Sequence, residues 1–350
     1  MKHFKFYRKN DLLSLTKHRK FETKIGEVIK VLQEGAEWPE GLLENDSKYV
    51  LFGIPEDIGV RANLGNPGAD TNWYPFLNSF LNVQSNDFFS GEELLLLGHF
   101  DFGDIKYLIE NNAYNDDEKI EAYRHAVTII DEEVETIVKA ITATGKIPIV
   151  IGGGHNNAYP LIKGAAKGLH KFHGTHLAQI NCINLDAHSD YRPLEGRHSG
   201  NAFRYAEEDG FLGKYAVIGL HENYIPQNIL TELNNNPFIH YSTFEEIFIM
   251  ESKNFTQSIS HAIGFTEDNY CGMELDLDCI SNVLASAPTP TGITPLQART
   301  FINFVSTDAK LAYFHISEGA CQTMDGKKDE LTGKLISQLV CDFIKSSNRQ

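Results

Sequence analysis

Six short apolar runs constrain this chain more than any other feature, because each is continuous and stops abruptly at Gly, His, Asp or Glu. They are KYVLFGIPED (48–57), KIPIVIGGGH (146–155), QINCINLDAH (179–188), KYAVIGLHEN (214–223), YCGMELDLD (270–278) and KLAYFHISEG (310–319). Runs rich in Val, Ile, Leu and Tyr without a polar alternate read as strands covered on both faces, as in a parallel sheet. Helical patterns lie between them. The clearest spans 115–145, with acidic first turns, apolar positions at three-and-four spacing and Gly145 as a stop. Weaker ones cover 156–169, 225–234, 242–263, 295–307 and 329–346. This alternation predicts an α/β fold, a mainly parallel doubly wound sheet with helices on both faces.

A length of 350 residues allows two modest domains or one large one. No linker, composition break or internal repeat divides the chain, so one domain over 46–350 is expected, after a charged, helical extension over 1–45. The aromatic-rich stretch 65–102 shows no clear period and receives no element. No apolar stretch approaches the ~18 residues of a membrane span, and MKHFKFYRKNDLLSL lacks the features of a signal peptide, so a soluble cytoplasmic protein is expected. Lys and Arg number 31 against 47 Asp and Glu, a net charge of −16, with no basic run carrying interleaved aromatics. Such a surface repels phosphate backbones, so no nucleic-acid partner is expected. The cysteines, five and widely spaced with no CxxC pair, read as reduced core thiols.

Ligands of an open parallel sheet bind beyond the carboxyl ends of its strands. At those ends stand His155 after GGG, then Asp186, His188 and Asp190 in NLDAHSD, then Asp276 and Asp278 in ELDLD. The period of two in the last two groups lets alternate side chains of an extended segment point the same way. Four converging carboxylates demand compensating cations, and with two imidazoles among them these are divalent metals. A hard, oxygen-rich set suits Mn²⁺ better than Zn²⁺ or Cu⁺. Six ligands are too many for one ion that must keep open positions, and suit a pair.

GGGH, DAHSD followed by HSGNAF, LDLD followed by SAPTPTGITP, and the late SEG resemble the ureohydrolase superfamily of arginases, agmatinases and formimidoylglutamases. The resemblance runs from FGIPEDIG (52–59) to the last apolar run. It implies a three-layer α/β/α fold and two Mn²⁺ ions per subunit, held by His155, Asp186, His188, Asp190, Asp276 and Asp278. It also implies attack by a metal-bridging hydroxide on a planar amidine or guanidine carbon, with Asp190 accepting a hydrogen bond from the nucleophile and Glu318 facing the cationic reacting group. Homo-oligomers are common in the family, so self-association is a further expectation.

Departures within the motifs point to one branch. Arginases usually read GGDHS, SGNLHG and SFDxDxxDP, where this chain has GGGHN, SGNAFR and ELDLDCIS. Phe203 thus replaces a His thought to shuttle protons, and Ser281 replaces the final Asp. These changes resemble formimidoylglutamases, which convert N-formimidoyl-L-glutamate to L-glutamate and formamide; a guanidino hydrolase releasing urea, or a catalytically silent metal-binding relative, is the alternative. Arg192 offers a two-pronged donor for a substrate carboxylate, and Ser199, Asn201 and Glu222 are further substrate-binding candidates. His221 is the candidate for the missing shuttle, with His198 as the other. Arg197 and Arg204 read as exposed loop residues and His315 as buried structure. Glu274, where a small Ser is usual, adds an acid with no evident purpose.

Overall fold

The structure, a computed structural model, describes residues 2–33, 35, 37–174 and 176–349. Among these, nine strands form one sheet: β1 (Phe4–Phe6), β2 (Tyr49–Gly53), β3 (Leu94–Phe100), β4 (Ile147–Ile151), β5 (Ile180–Leu185), β6 (Leu212–Leu220), β7 (Ile239–Thr243), β8 (Cys271–Asp276) and β9 (Leu311–Ser317). Their spatial order is β1-β3-β2-β4-β9-β8-β5-β6-β7. Only β1 runs antiparallel, against β3; the other pairings are parallel.

The continuous apolar runs have a physical cause, since alternate residues of each strand enter different cores. Tyr49 and Leu51 of β2 pack on one face and Val50 and Phe52 on the other. The first face is covered by helices Trp73–Phe80, Phe255–Thr266, Pro295–Asp308 and Leu331–Ser347, the second by Asp116–Thr142, Ala158–His173, Ala202–Glu208 and Gln227–Asn235. Three layers result, as the resemblance implied. Each buried Leu, Ile or Val side chain contributes about 1.5–3 kcal/mol. The long helix Asp116–Thr142 starts where Asn115 accepts a hydrogen bond from the Glu118 N–H at 2.9 Å, with Asp116, Asp117 and Glu118 complementing the dipole. All five cysteines are free and buried. Among the described residues no helix is long and apolar enough to cross a membrane.

Three strands had no counterpart in the sequence reading. β3 lies inside the unassigned stretch 65–102; its register with β2 shifts at Leu51/Phe52, and Gly98 sits at φ 149, so the run LLLLGHF is broken by a bulge. The pattern at 242–263 is corrected: it holds the end of β7, a π-helical turn Glu245–Ile249 and only part of helix Phe255–Thr266. Adjacent short elements had mimicked one helical period. Residues 2–45 supply β1 and the short helices Lys9–Leu15 and Ile25–Val28.

Candidate metal centre

The four central strands, in the order β4-β9-β8-β5, deliver the chemistry at their carboxyl ends. His155 follows β4, Glu318 follows β9, Asp276 ends β8, and Asp186 follows β5. His155 Nδ1 lies 3.2 Å from Asp186 Oδ2, 2.8 Å from Asp190 Oδ2 and 3.1 Å from Asp276 Oδ2. His188 Nδ1 stands 3.6 Å from Asp186 Oδ1 and 4.0 Å from Asp278 Oδ2. The six side chains read from the motifs therefore converge, with Asp186 between the two imidazoles. Donors of His155, Asp186, Asp190 and Asp276 all fall within 4.8 Å of one another.

The convergence does not come from extended alternation. Asp276 closes its strand and Leu277–Cys279 turns as a 3-10 helix, so the Asp278 N–H donates back to Asp276 Oδ1 at 2.7 Å. Likewise the His188 N–H donates to Asp186 Oδ1 at 2.7 Å in the loop after β5. Asp190 (φ 44) and Glu318 (φ 61) hold left-handed backbone, which costs a non-glycine residue on the order of 1 kcal/mol and is concentrated at working sites.

Electrostatics shows what the cluster fits. Burial alone would keep both imidazoles neutral, yet the surrounding carboxylates push His155 well up and His188 to about 10. Burial, with repulsion from neighbouring acids, raises Asp276 and Glu318 well above the carboxylate range and Asp278 to about 6. Neither nitrogen of buried His155 has a partner with hydrogen-bond geometry, although three carboxylate oxygens surround Nδ1. Imidazoles and acids alike are pushed toward holding protons, which take the place of cations here; once those protons leave, four carboxylates and two neutral imidazoles make a hard, oxygen-rich set that fits divalent cations such as Mn²⁺.

Two knots fix the loops beneath. Glu56 is buried and accepts from the N–H groups of Ile58, Gly59 and Gly154 and from the amides of Asn156 and Asn157 at 2.7–3.2 Å. Arg197, read from the sequence as exposed, is buried: it pairs with Asp131 at 2.9 Å, donates to Asn156 O at 2.8 Å and stacks on Tyr159 and Tyr205. Phe203 is fully buried, with its ring edge-on to His155 at 5.2 Å, so it backs the imidazole and cannot shuttle protons.

A cavity of about 480 Å³ opens onto the cluster, lined by His188, Asp190, Asp276, Asp278 and Glu318 and also by Arg192 and buried Ser199. The volume suits a small molecule. Glu318 Oε1 accepts from the His155 N–H at 2.6 Å, while its buried Oε2 has no partner. Arg192 is half exposed and donates to Asn63 Oδ1 at 3.1 Å and Glu195 Oε1 at 2.8 Å.

Other candidates sit elsewhere. His221 does not line the cavity; its ring is stacked between Tyr224 and Phe244. Asn201 is turned to Arg197 and the Gly196 carbonyl, and Glu222 accepts from Thr243 Oγ1. Buried His198 caps the 3-10 turn Ser199–Asn201 by accepting from the Gly200 N–H. Arg204 pairs with Glu232 and lies over Tyr191. The sequence reading missed Asn63, which holds Arg192, and Tyr224, which stacks on His188 from the cavity wall. Neither carries a motif. Glu56, inside FGIPEDIG, was legible only as part of the resemblance.

Comparison with known proteins agrees with this architecture. The model of the Arginase family matches residues 47–344. A formimidoylglutamase of Streptococcus pyogenes serotype M3 is 26% identical over 279 residues, 77% of this chain and 76% of its own. The crystal structure of formimidoylglutamase from Bacillus subtilis matches with a TM-score of 0.72 at 14% identity, covering 95% of each chain. Trypanosoma cruzi formiminoglutamase, solved with Mn²⁺, matches at 0.67 and 21% identity over 93% of this chain and 98% of that one.

Proposed function

This chain belongs to the arginase family and is a hydrolase of C–N bonds, and from that premise we propose that it converts N-formimidoyl-L-glutamate and water to L-glutamate and formamide, using a pair of manganese ions. The observation that carries the reading is the meeting of two imidazoles and four carboxylates, from three separate strand ends, beside a small-molecule cavity that His188, Asp190, Asp276 and Asp278 line. The likeness to curated formimidoylglutamases supports the choice of substrate.

His155, Asp186, His188, Asp190, Asp276 and Asp278 would hold the metals. Divalent manganese held there supplies Lewis acidity and makes a hydroxide nucleophile available near neutral pH. The residues of the chain do the rest. Glu318, with one oxygen anchored on the His155 N–H and the other unpartnered, faces the cationic amidine and orients its planar carbon. Asp190, which lines the cavity, takes a proton from the attacking water and returns it to the leaving amine. Arg192 and Ser199, which line the same cavity, receive the substrate's carboxylates. Proton transfer is assigned to Asp190 rather than to His221, whose ring is packed away from the cavity.

Residues 46–350 would form the catalytic domain, with 1–45 as an extension joined through β1. We also propose a cytoplasmic homo-oligomer; light scattering tests the assembly. The activity is tested by assaying the Mn²⁺-loaded protein against formimidoylglutamate, arginine, agmatine and guanidino acids. Formamide and glutamate from the first are expected. Urea from a guanidino substrate without formamide from formimidoylglutamate contradicts the reading.

A further inference from the structure

We propose that Glu274, the acid without an evident purpose in the third motif, is a positioning residue that sets the ring orientation and tautomer of His155, and that the centre's affinity for manganese depends on it. The proposal rests on reading His155 as a metal ligand.

The two nitrogens of His155 face opposite surroundings. Nδ1 looks into the ring of Asp186, Asp190 and Asp276, whereas Nε2 lies 3.4 Å from Glu274 Oε2, behind the cluster. An imidazole that ligates through one nitrogen must carry its proton on the other, and an acceptor there fixes which is which. Glu274 is fully buried and its Oε2 is the carboxylate oxygen 3.4 Å from that second nitrogen, a proximity that becomes a hydrogen bond once the ring turns its N–H toward it.

The carboxylate is itself held. Tyr313 Oη donates to its Oε1 at 2.6 Å, and His315 Nδ1 lies 2.6 Å from its Oε2. His315 Nε2 is in turn 3.3 Å from the Gly152 carbonyl, in the loop that leads to His155. Strand register produces this bracing, for Glu274 pairs with His315 and Gly272 with Tyr313 between β8 and β9. A Cβ on Gly272 would lie 2.5 Å from the Tyr313 ring, so the missing side chain makes the space through which Tyr313 reaches Glu274. Gly272, Glu274, Tyr313 and His315 thus form one unit, built around an acid that a purely structural position in a sheet core would not need.

The test titrates chelator-stripped full-length protein with MnCl₂ and reads free Mn²⁺ by electron paramagnetic resonance, with no activity required. Glu274→Gln, nearly isosteric, is expected to weaken Mn²⁺ binding about 10- to 100-fold. Tyr313→Phe removes a hydrogen bond from the same carboxylate but leaves it facing Nε2, and should keep the parent's affinity even where the metal-free melting temperature falls. Glu274→Asp, which keeps the charge but withdraws it from Nε2, is the second variant and should weaken binding in the same direction. Parental affinity in both Glu274 variants, with Mn²⁺ bound by the parent, overturns the proposal alone. A parent that binds no Mn²⁺ overturns the metal centre as well.

Discussion

The backbone N–H of His155 donates to the Glu318 carboxylate at 2.6 Å, tying the loop after β4 to the end of β9. One oxygen of Glu318 thereby braces the metal-facing loop, while the other is buried without a hydrogen-bond partner in a residue that lines the cavity.

Glu318→Gln keeps that brace, because an amide oxygen can still accept, but it removes the charge opposite the amidinium. The expected result is a fall of about 10²–10³ in kcat with Mn²⁺ content unchanged, checked by steady-state kinetics beside elemental analysis. An equal fall in metal content would make Glu318 a structural residue.

Arg192→Ala should act on binding rather than chemistry. A charge-assisted hydrogen bond is worth about 1.5–3 kcal/mol, so KM for formimidoylglutamate should rise roughly 10- to 100-fold at nearly constant kcat. A drop confined to kcat would show that the guanidinium serves another purpose, such as holding Asn63 and Glu195.

Arg197 illustrates a buried pair whose single loss is worse than its double loss. Arg197→Met strands Asp131 in the interior and should destabilise the fold by about 3–5 kcal/mol, whereas Arg197→Met combined with Asp131→Leu should cost less. Urea denaturation of the two variants decides it; equal stability of parent and single variant would contradict the pairing.

Acid sensitivity has a specific source in β3. Burial, with Lys5 adding and Asp101 opposing, holds the His99 imidazole down at about 4. An unfolded chain takes up that proton near pH 6.5, whereas the folded chain resists until about 4. Stability is therefore full above about pH 6.5 and falls as pH drops toward 4. The difference in metal-free unfolding free energy between parent and His99→Gln should change by about 2–3 kcal/mol between pH 7.5 and 4.5. A pH-independent difference would sink the assignment.

The core of the sheet and the six converging side chains were legible because both write themselves locally: strands buried on two faces give unbroken apolar runs, and ligands cluster where those runs stop. What stayed hidden depends on register and on partners distant in sequence. Glu274 has meaning only once β9 places His315 and Tyr313 beside it. Arg197 looked like a loop residue because its partner Asp131 lies in a helix that the motif does not mention. β3 was obscured by its own bulge, and β7 by a neighbouring turn that continued a false helical period.

Anomalous diffraction at the manganese edge, from crystals of the Mn²⁺-loaded protein, addresses the central claim most directly. Two peaks are expected among His155, Asp186, His188, Asp190, Asp276 and Asp278, adjoining the cavity that Glu318 lines. Peaks elsewhere, or none among these six side chains, would contradict both the metal centre and the hydrolytic chemistry built on it.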